Sequence, residues 1–361
     1  MNEEQRKQIS FKGEKIYVGI DVHLKSWAVS ILTESASMGK PKTMPPVPEK
    51  LVAYLHREFP GAEYYSVYEA GFCGFWIHDK LTQLGVHNIV VNPGDVPTTG
   101  SERLRKTDAV DSRKLAMGLR AKQLNGIYTP SNIALELRSL IRLKNSITKD
   151  TTRQKNRIKS LLRLLGIEIP DEFLIQQSNW SKRFIKWVKD VQTQTTFGRD
   201  ALDIEIQLFE NLRKEKLEVM RAIRRISRTD EYQELIGHLL SVPGIGLPTA
   251  MSILSEVCDP ERFRSAEKFA SYIGLVPMCH SSGEHDGTAN ITKRSNASLR
   301  SNIIECAWIA IRNDPALNLV FVKNCRKMTP AKAIVKVARK LSNRIFYVLK
   351  NNKDYVNGVV S

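Results

Sequence analysis

The chain has 361 residues, 42% of them hydrophobic and 26% charged, and carries a formal net charge of +17. That is enough chain for two or three domains with a sizeable core, and it excludes a disordered polar tail or a small disulfide-framed module. No run resembles a membrane-spanning helix, the opening MNEEQRKQ is polar rather than a secretory leader, and Cys73, Cys258, Cys279, Cys306 and Cys325 lack CxxC spacing, so reduced thiols and a cytoplasmic location are expected.

Taken in chain order, Ile16–Ile20 and Trp27–Leu32 read as two strands joined by a polar turn, Val22-His23-Leu24-Lys25-Ser26. GKPKTMPPVPEK then breaks structure. EKLVAYLHREF predicts a short amphipathic helix, EYYSVYE a strand ending at Glu69, FWIHDKLTQLG a helix closed by Gly85, and HNIVVNP a strand stopped by Pro93. TDAVDSRKLAMGLRAKQL predicts a helix capped by Thr107 or Asp108. A hairpin followed by βαβα units implies an α/β layer over residues 1–128.

Residues 129–232 change character. Leu137, Leu140, Ile147, Ile158, Leu161 and Leu165 recur at helical spacing, with Lys144, Thr151 and Gln154 on the same stripe. A second helix over about 201–227 carries Leu202, Ile206, Phe209, Leu212, Met220 and Ile223. The pair suggests an antiparallel coiled-coil arm, and the polar middle of its stripe suggests a projection that meets a partner. Residues 233–361 read as mostly helical and end in a basic amphipathic helix, TPAKAIVKVARKLSNRIFYVLKN.

The positive charge is concentrated. Residues 138–163 hold 9 Lys and Arg against 1 acid, and residues 290–361 hold 14 against 3. Two such blocks point to nucleic acid more than to a membrane.

Asp21 lies at the end of an apolar strand, where an unpaired carboxylate is costly. Each acid alone has an ordinary explanation, such as a turn or a helix cap. Asp21 and Glu69, both at strand ends, together with Asp108 and Asp111 three apart at a helix start, make a better case for divalent metal. Such oxygen ligands suit Mg²⁺, with Mn²⁺ possible in its place, and could serve phosphodiester chemistry. Cys279, His280 and His285 lack a fourth ligand at finger spacing, which speaks against zinc.

In the last third, VPGIGLPTA resembles the hairpin of helix-hairpin-helix DNA-binding modules, with Gly244 and Gly246 allowing backbone N–H groups to approach a phosphate. Ser281, Ser282, Gly283 and Gly287 mark an exposed loop, followed by Lys293, Arg294 and Arg300 at a helix start. A serine there could attack DNA.

Together GIDVH, YEAG, KTDAVDSRKLA, VPGIGLPTA, FASYIGLVP, HSSG and ITKRSNASLR resemble, in order, the transposases of the insertion sequence 110 family, relatives of the Piv DNA invertases. The resemblance implies an N-terminal RuvC-like (RNase H fold) domain over 1–128, a coiled-coil arm over 129–232 and a transposase domain over 233–361. It implies that Asp21, Glu69, Asp108 and Asp111 form a DEDD set holding Mg²⁺. Ser282, with Ser281 as second choice, would attack DNA in a composite site and form a phosphoserine intermediate. It also implies DNA and a structured bridge RNA as partners, contacts from Arg105, Lys106, Gly244, Gly246, Lys293, Arg294 and Arg300, and dimers that pair into tetramers on the bacterial nucleoid. The family's KRG is here Lys293-Arg294-Ser295, which alters a turn but removes no reacting group.

Three other readings follow from the same residues. A RuvC-like nuclease or junction resolvase would use water and need no Ser282. A nucleic-acid-binding protein with a dead site would have lost acids that this chain keeps. Sugar kinases and actin-like ATPases also begin with GID and a hairpin, but they need Gly-rich phosphate loops that are missing here.

Overall fold

The computed structural model describes residues 11–37, 39–97, 107–175, 179–282, 285–291 and 295–358, with backbone only over 278–291. The chain forms two compact units, Met1–Pro130 and Ser131–Ser361. The helical pair and the last third, expected as separate segments, therefore share one unit.

The first unit is a five-stranded sheet of order β3-β2-β1-β4-β5. Its strands are β1 Lys15–Val22, β2 Trp27–Leu32, β3 Lys42–Met44, β4 Glu63–Glu69 and β5 His87–Val91. β1 pairs antiparallel with β2 and parallel with β4, which pairs parallel with β5. The β3 edge strand corrects the expectation of broken structure in the Pro-rich stretch. Its three residues pair with Trp27, Ala28 and Val29, and flanking prolines are tolerated at a sheet edge.

The central strand β1 is buried on both faces, and its period of two separates them. Ile16, Val18 and Ile20 pack with Leu51 and Leu55 of helix α1 (Pro48–Glu58) and with Ile77 and Leu81 of α2 (Trp76–Gln83). Tyr17 faces the other way, against Ala116 of α3 (Asp108–Arg120). Val67 and Val91 pack on the same helix through Leu115.

α3 crosses β1 at Gly19. A Cβ there would lie 2.0 Å from the Ser112 carbonyl oxygen and 2.5 Å from the Ala116 nitrogen. Only a residue without a side chain admits a helix backbone so close. Beside this contact the buried hydroxyls of Ser30 and Ser112 pair at 2.8 Å.

The second unit begins with two long helices, α4 (Asn132–Leu164) and α6 (Thr196–Ile226). Between them lies α5 (Lys182–Asp190), which the sequence reading missed. Phe184, Ile185 and Val188 of α5 close an apolar cluster with Ile158, Leu162, Leu202, Ile206 and Phe209 at one end of the pair. At the other end Leu137, Ile141, Ile147, Val219 and Ile223 join the main core of the unit.

The polar middle of the α4 stripe turns inward. Thr151 Oγ donates to the Ile147 carbonyl at 2.7 Å, and the Gln154 amide donates to the Glu205 carbonyl at 2.8 Å and to the Glu205 carboxylate. Both side chains are buried. Thr151 and Gln154 are thus satisfied within the helix pair, and their polarity does not by itself call for an outside partner.

Helices α7 (Asp230–Leu240), α8 (Leu247–Val257), α9 (Ala266–Ile273), α10 (Ala297–Asn313), α11 (Pro315–Cys325) and α12 (Pro330–Asn351) build the rest, with one hairpin of β6 (Pro277–Ser282) and β7 (His285–Ile291). The buried carboxylate of Glu256 on α8 binds Arg142 of α4 at 3.0 and 3.2 Å, anchoring the long pair to the core. Among the described residues no helix is long and apolar enough to cross a membrane.

Asp314 is the most heavily bonded acid of this unit. It caps α11 by accepting the Leu317 N–H at 2.8 Å, and it also accepts from Arg344 at 2.7 Å, the Gly358 N–H at 3.2 Å and the Tyr355 hydroxyl. Burial alone would raise its carboxyl, but these donors outweigh burial and hold it below the ordinary carboxylate range. Burial and the neighbouring carboxylate push Tyr355 up to about 12.

Two predictions follow from this packing. Gly19→Ala should destabilise the protein by about 3 kcal/mol or more, because the clash is with helix backbone that cannot rotate away; urea unfolding checks this. Asp314→Ala should cost about 3–5 kcal/mol by leaving Arg344 without its partner. Because the folded carboxyl titrates below its unfolded value, this stability is present above the ordinary carboxylate range and is lost as pH falls through the depressed value. Thermal melts across acidic pH should therefore converge for wild type and variant.

Candidate functional site

The site residues of the first unit follow from the parity of β1. Tyr17 and Gly19 face α3, so Asp21 also belongs to that face. The β1–β4 register ends at Ile20 opposite Tyr68, and the next residue on each strand is an acid, Asp21 and Glu69. Across them starts α3. Thr107 Oγ caps it by accepting the Val110 N–H at 3.3 Å, which leaves Asp108 and Asp111 in its first turn. The close crossing at Gly19 carries that first turn to the end of β1.

The structure brings Asp21 and Asp108 together around a residue that sequence reasoning left in a turn, His23. Its Nε2 lies 3.2 Å from Asp21 Oδ2 and 3.4 Å from Asp108 Oδ2. In the tautomer that carries its proton there, this nitrogen can donate to either carboxylate. Candidate ligand atoms of Asp21, His23 and Asp108 all lie within 4.8 Å of one another. The signal was present in the sequence: β1 runs on to Val22, and two residues beyond Asp21 returns to the same side.

Asp111 and Glu69 are placed differently. The Asp111 carboxylate meets Lys114 at 3.4 Å, and neither acid belongs to the 4.8 Å group. Asp111 is still within electrostatic reach of Asp21. Burial raises the Asp21 carboxyl above its ordinary value, and the charges of Asp108 and Asp111 raise it further, while His23 opposes them. Clustered acids with a raised carboxyl and a single imidazole between them suit a divalent cation, which would neutralise the repulsion.

The residues singled out in the second unit have these placements. Gly244 lies in the turn between α7 and α8 at φ +87°, and a Cβ there would meet the Cys306 carbonyl oxygen at 2.5 Å. Its lack of a side chain is accounted for by packing on α10 as well as by its backbone angle. Gly246 is the N-cap of α8, and a Cβ there would find no close contact.

Ser281 and Ser282 close β6, paired with Asp286 and His285 of β7. This corrects the expected open loop: the segment forms a strand hairpin, to which β-branched residues such as Thr288 and Ile291 are suited. Arg300 Nη1 donates to the Ser295 hydroxyl at 3.0 Å and to the Gly274 carbonyl at 3.4 Å. The departure at Ser295 therefore contributes a hydrogen bond to the arginine, which is tied into the fold. Arg105, Lys106, Lys293 and Arg294 lie outside the described residues, as do the side chains of Cys279, His280 and His285.

Comparison with known proteins agrees with these two regions. A transposase family profile for the DEDD proteins of IS110 elements matches residues 18–167, spanning every acid of the set. A second profile, described as the transposase IS116/IS110/IS902 family, matches residues 237–321. Over these two segments the chain is similar to transposases of the IS110 family. Two proteins of Sinorhizobium fredii named as candidate transposases, y4qE and y4rJ, are each 28% identical to it, over 68% and 76% of this chain. The transposase for insertion sequence element IS1533 of Leptospira borgpetersenii is 27% identical over 68% of this chain. The matched segments span 58%, 74% and 70% of these relatives' own lengths.

The raised Asp21 carboxyl has a measurable consequence. A carboxyl whose folded value lies above its unfolded one makes the protein less stable as pH rises through that window. At neutral pH without divalent cation, Asp21→Asn should therefore melt at or above the wild-type temperature. Added Mg²⁺ or Mn²⁺ should raise the melting temperature of wild type and leave that of Asp21→Asn unmoved.

Proposed function

We propose that the protein is the transposase of an insertion element, cutting and rejoining DNA at a metal site built on Asp21, Glu69, Asp108 and Asp111. The observation that carries this reading is the meeting of Asp21 and Asp108 across the His23 imidazole, at the junction of a strand end and a helix start. The sheet order β3-β2-β1-β4-β5 supports a RuvC-like domain as its frame. A bound Mg²⁺ or Mn²⁺ would supply charge neutralisation at the scissile phosphate and activate the attacking oxygen. The carboxylates would hold it, with His23 beside Asp21 and Asp108.

In this reading Ser282 is the nucleophile, at the end of β6 within the segment related to the IS116/IS110/IS902 profile. Its oxygen bonds to phosphorus, its proton leaves to a base, and the departing DNA oxygen is protonated. The phosphoserine keeps the bond energy for rejoining. Two basic blocks support both DNA and a structured guide RNA as partners, since phosphate neutralisation supplies most of such affinity. Dimers pairing into tetramers on the nucleoid complete the reading.

A second reading is a metal-dependent nuclease using water. The position of His23 favours it specifically, because an imidazole beside the carboxylates could take a proton from water without any serine.

One experiment separates the two. Labelled element-end DNA is incubated with the protein, its flanking non-coding RNA and Mg²⁺, then run on denaturing gels. Asp21→Asn and Asp108→Asn should lower cleavage by about 10²-fold or more, as losses of charge stabilisation do. A protein–DNA adduct that vanishes in Ser282→Ala supports the transposase; cut DNA with no adduct, untouched by Ser282→Ala, supports the nuclease.

A further inference from the structure

The α4–α6 pair holds an unbalanced charge that the carboxylate site does not use. Lys144, Lys155 and Lys159 are spaced eleven and four residues apart on α4, which places them on one face. Arg213 and Lys216 of α6 face them: Lys216 interacts with both Lys144 and Lys155, and Arg213 with Lys155. The four lysines are half-buried. Lys155 lies over the rings of Trp180 at 5.6 Å and Phe209 at 5.9 Å, Lys159 over Trp180 at 6.0 Å, and Arg213 over Phe209 at 5.7 Å.

None of the five cations has an acidic partner among the described residues. Four acids of the same helices pair with other cations: Asp150 with Arg153, Asp203 with Arg199, Glu210 with Lys189 and Glu218 with Arg221. Glu205 accepts from Gln154. Half-burying ammonium groups beside one another without an anion is unfavourable, and burial accordingly pulls Lys144 and Lys155 down, with the neighbouring cations adding to it. A ring face offers a cation only a weak attraction, too little to offset this.

We infer that this face of the α4–α6 pair is a binding site for the phosphodiester backbone of a nucleic acid, held by Lys144, Lys155, Lys159, Arg213 and Lys216. It deepens the proposed function, on which it rests for the class of partner. The row from Lys144 to Lys159 spans about 22 Å at 1.5 Å per helical residue, the length of about six phosphates of one duplex strand. A second copy of the same face would bring like charges together and is a poor occupant.

The test uses the full-length protein in EDTA, so that no cleavage takes part. Fluorescence anisotropy follows a labelled DNA duplex of arbitrary sequence and an RNA hairpin of equal length through a salt series. The triple variant Lys144→Gln, Lys155→Gln, Lys216→Gln should bind about tenfold or more weakly, with a salt slope smaller by about two to three. The ligand that loses more identifies the source of the backbone. The paired cations Arg199→Gln and Arg221→Gln should change neither reading. The triple variant should melt at or above the wild-type temperature, since repulsion is relieved.

Unchanged affinity and slope would overturn the inference. So would a loss accompanied by a lower melting temperature or an altered oligomeric mass, which would make the cluster structural or a protein interface. Failure of metal-dependent cleavage in wild type would sink the proposed function and leave this binding measurement standing.

Discussion

The approach of α3 to β1 at Gly19 is the constraint on which the first unit depends. A helix backbone set against a strand backbone leaves no room for a side chain, so the position and tilt of α3 are fixed by contact rather than by the flexible fit of long residues. The Ser30–Ser112 pair satisfies the polar groups that this closeness buries. From that fixed crossing, Asp108 stands above the end of β1, and Tyr17, Gly19 and Asp21 take their side of the sheet by alternation. The acid cluster is a geometric result of backbone packing several residues away.

The two units hold opposite electrostatic problems. In the first, carboxylates gather around one imidazole, and burial with like charge raises Asp21. In the second, Lys155 and Lys159 gather around two aromatic rings with no acid paired to them among the described residues. Elsewhere the fold shows that it can satisfy buried charge: Asp314 has four donors, and Glu256 receives a two-point bond from Arg142. Unbalanced clusters beside well-balanced ones mark places where stability is surrendered locally, as at sites that bind charged ligands.

Much of the first unit was legible because its strands are β-branched and aromatic and its helices are cleanly punctuated. Thr107 announced the start of α3, and Gly85 stands just beyond α2. His23 was missed because a polar run after an apolar one reads as turn, although β1 extends to Val22. β3 was missed because prolines flank it. Helix α5 was hidden in a stretch read for its breakers, despite Ser181 as cap and Phe184, Ile185 and Val188 at helical spacing. The β6–β7 hairpin is hard to see in the sequence because Ser281, Ser282, Gly283 and Gly287 together signal a loop. Gln154 shows the limit of pattern reading: helical spacing gives the face it takes, while its partner Glu205 sits on a helix 51 residues away.

The order of the sheet also bears on synthesis. Asp21 leaves the ribosome early, but the helix that brings Asp108 to it packs through Ala116. Until residues beyond that point have emerged, β1 has no α3 to close against, and the acids stay far apart. A nascent chain, or one broken off before α3, therefore carries the early acids without the cluster they form. The cluster of Asp21, His23 and Asp108 thus forms only after most elements of the first unit have been made.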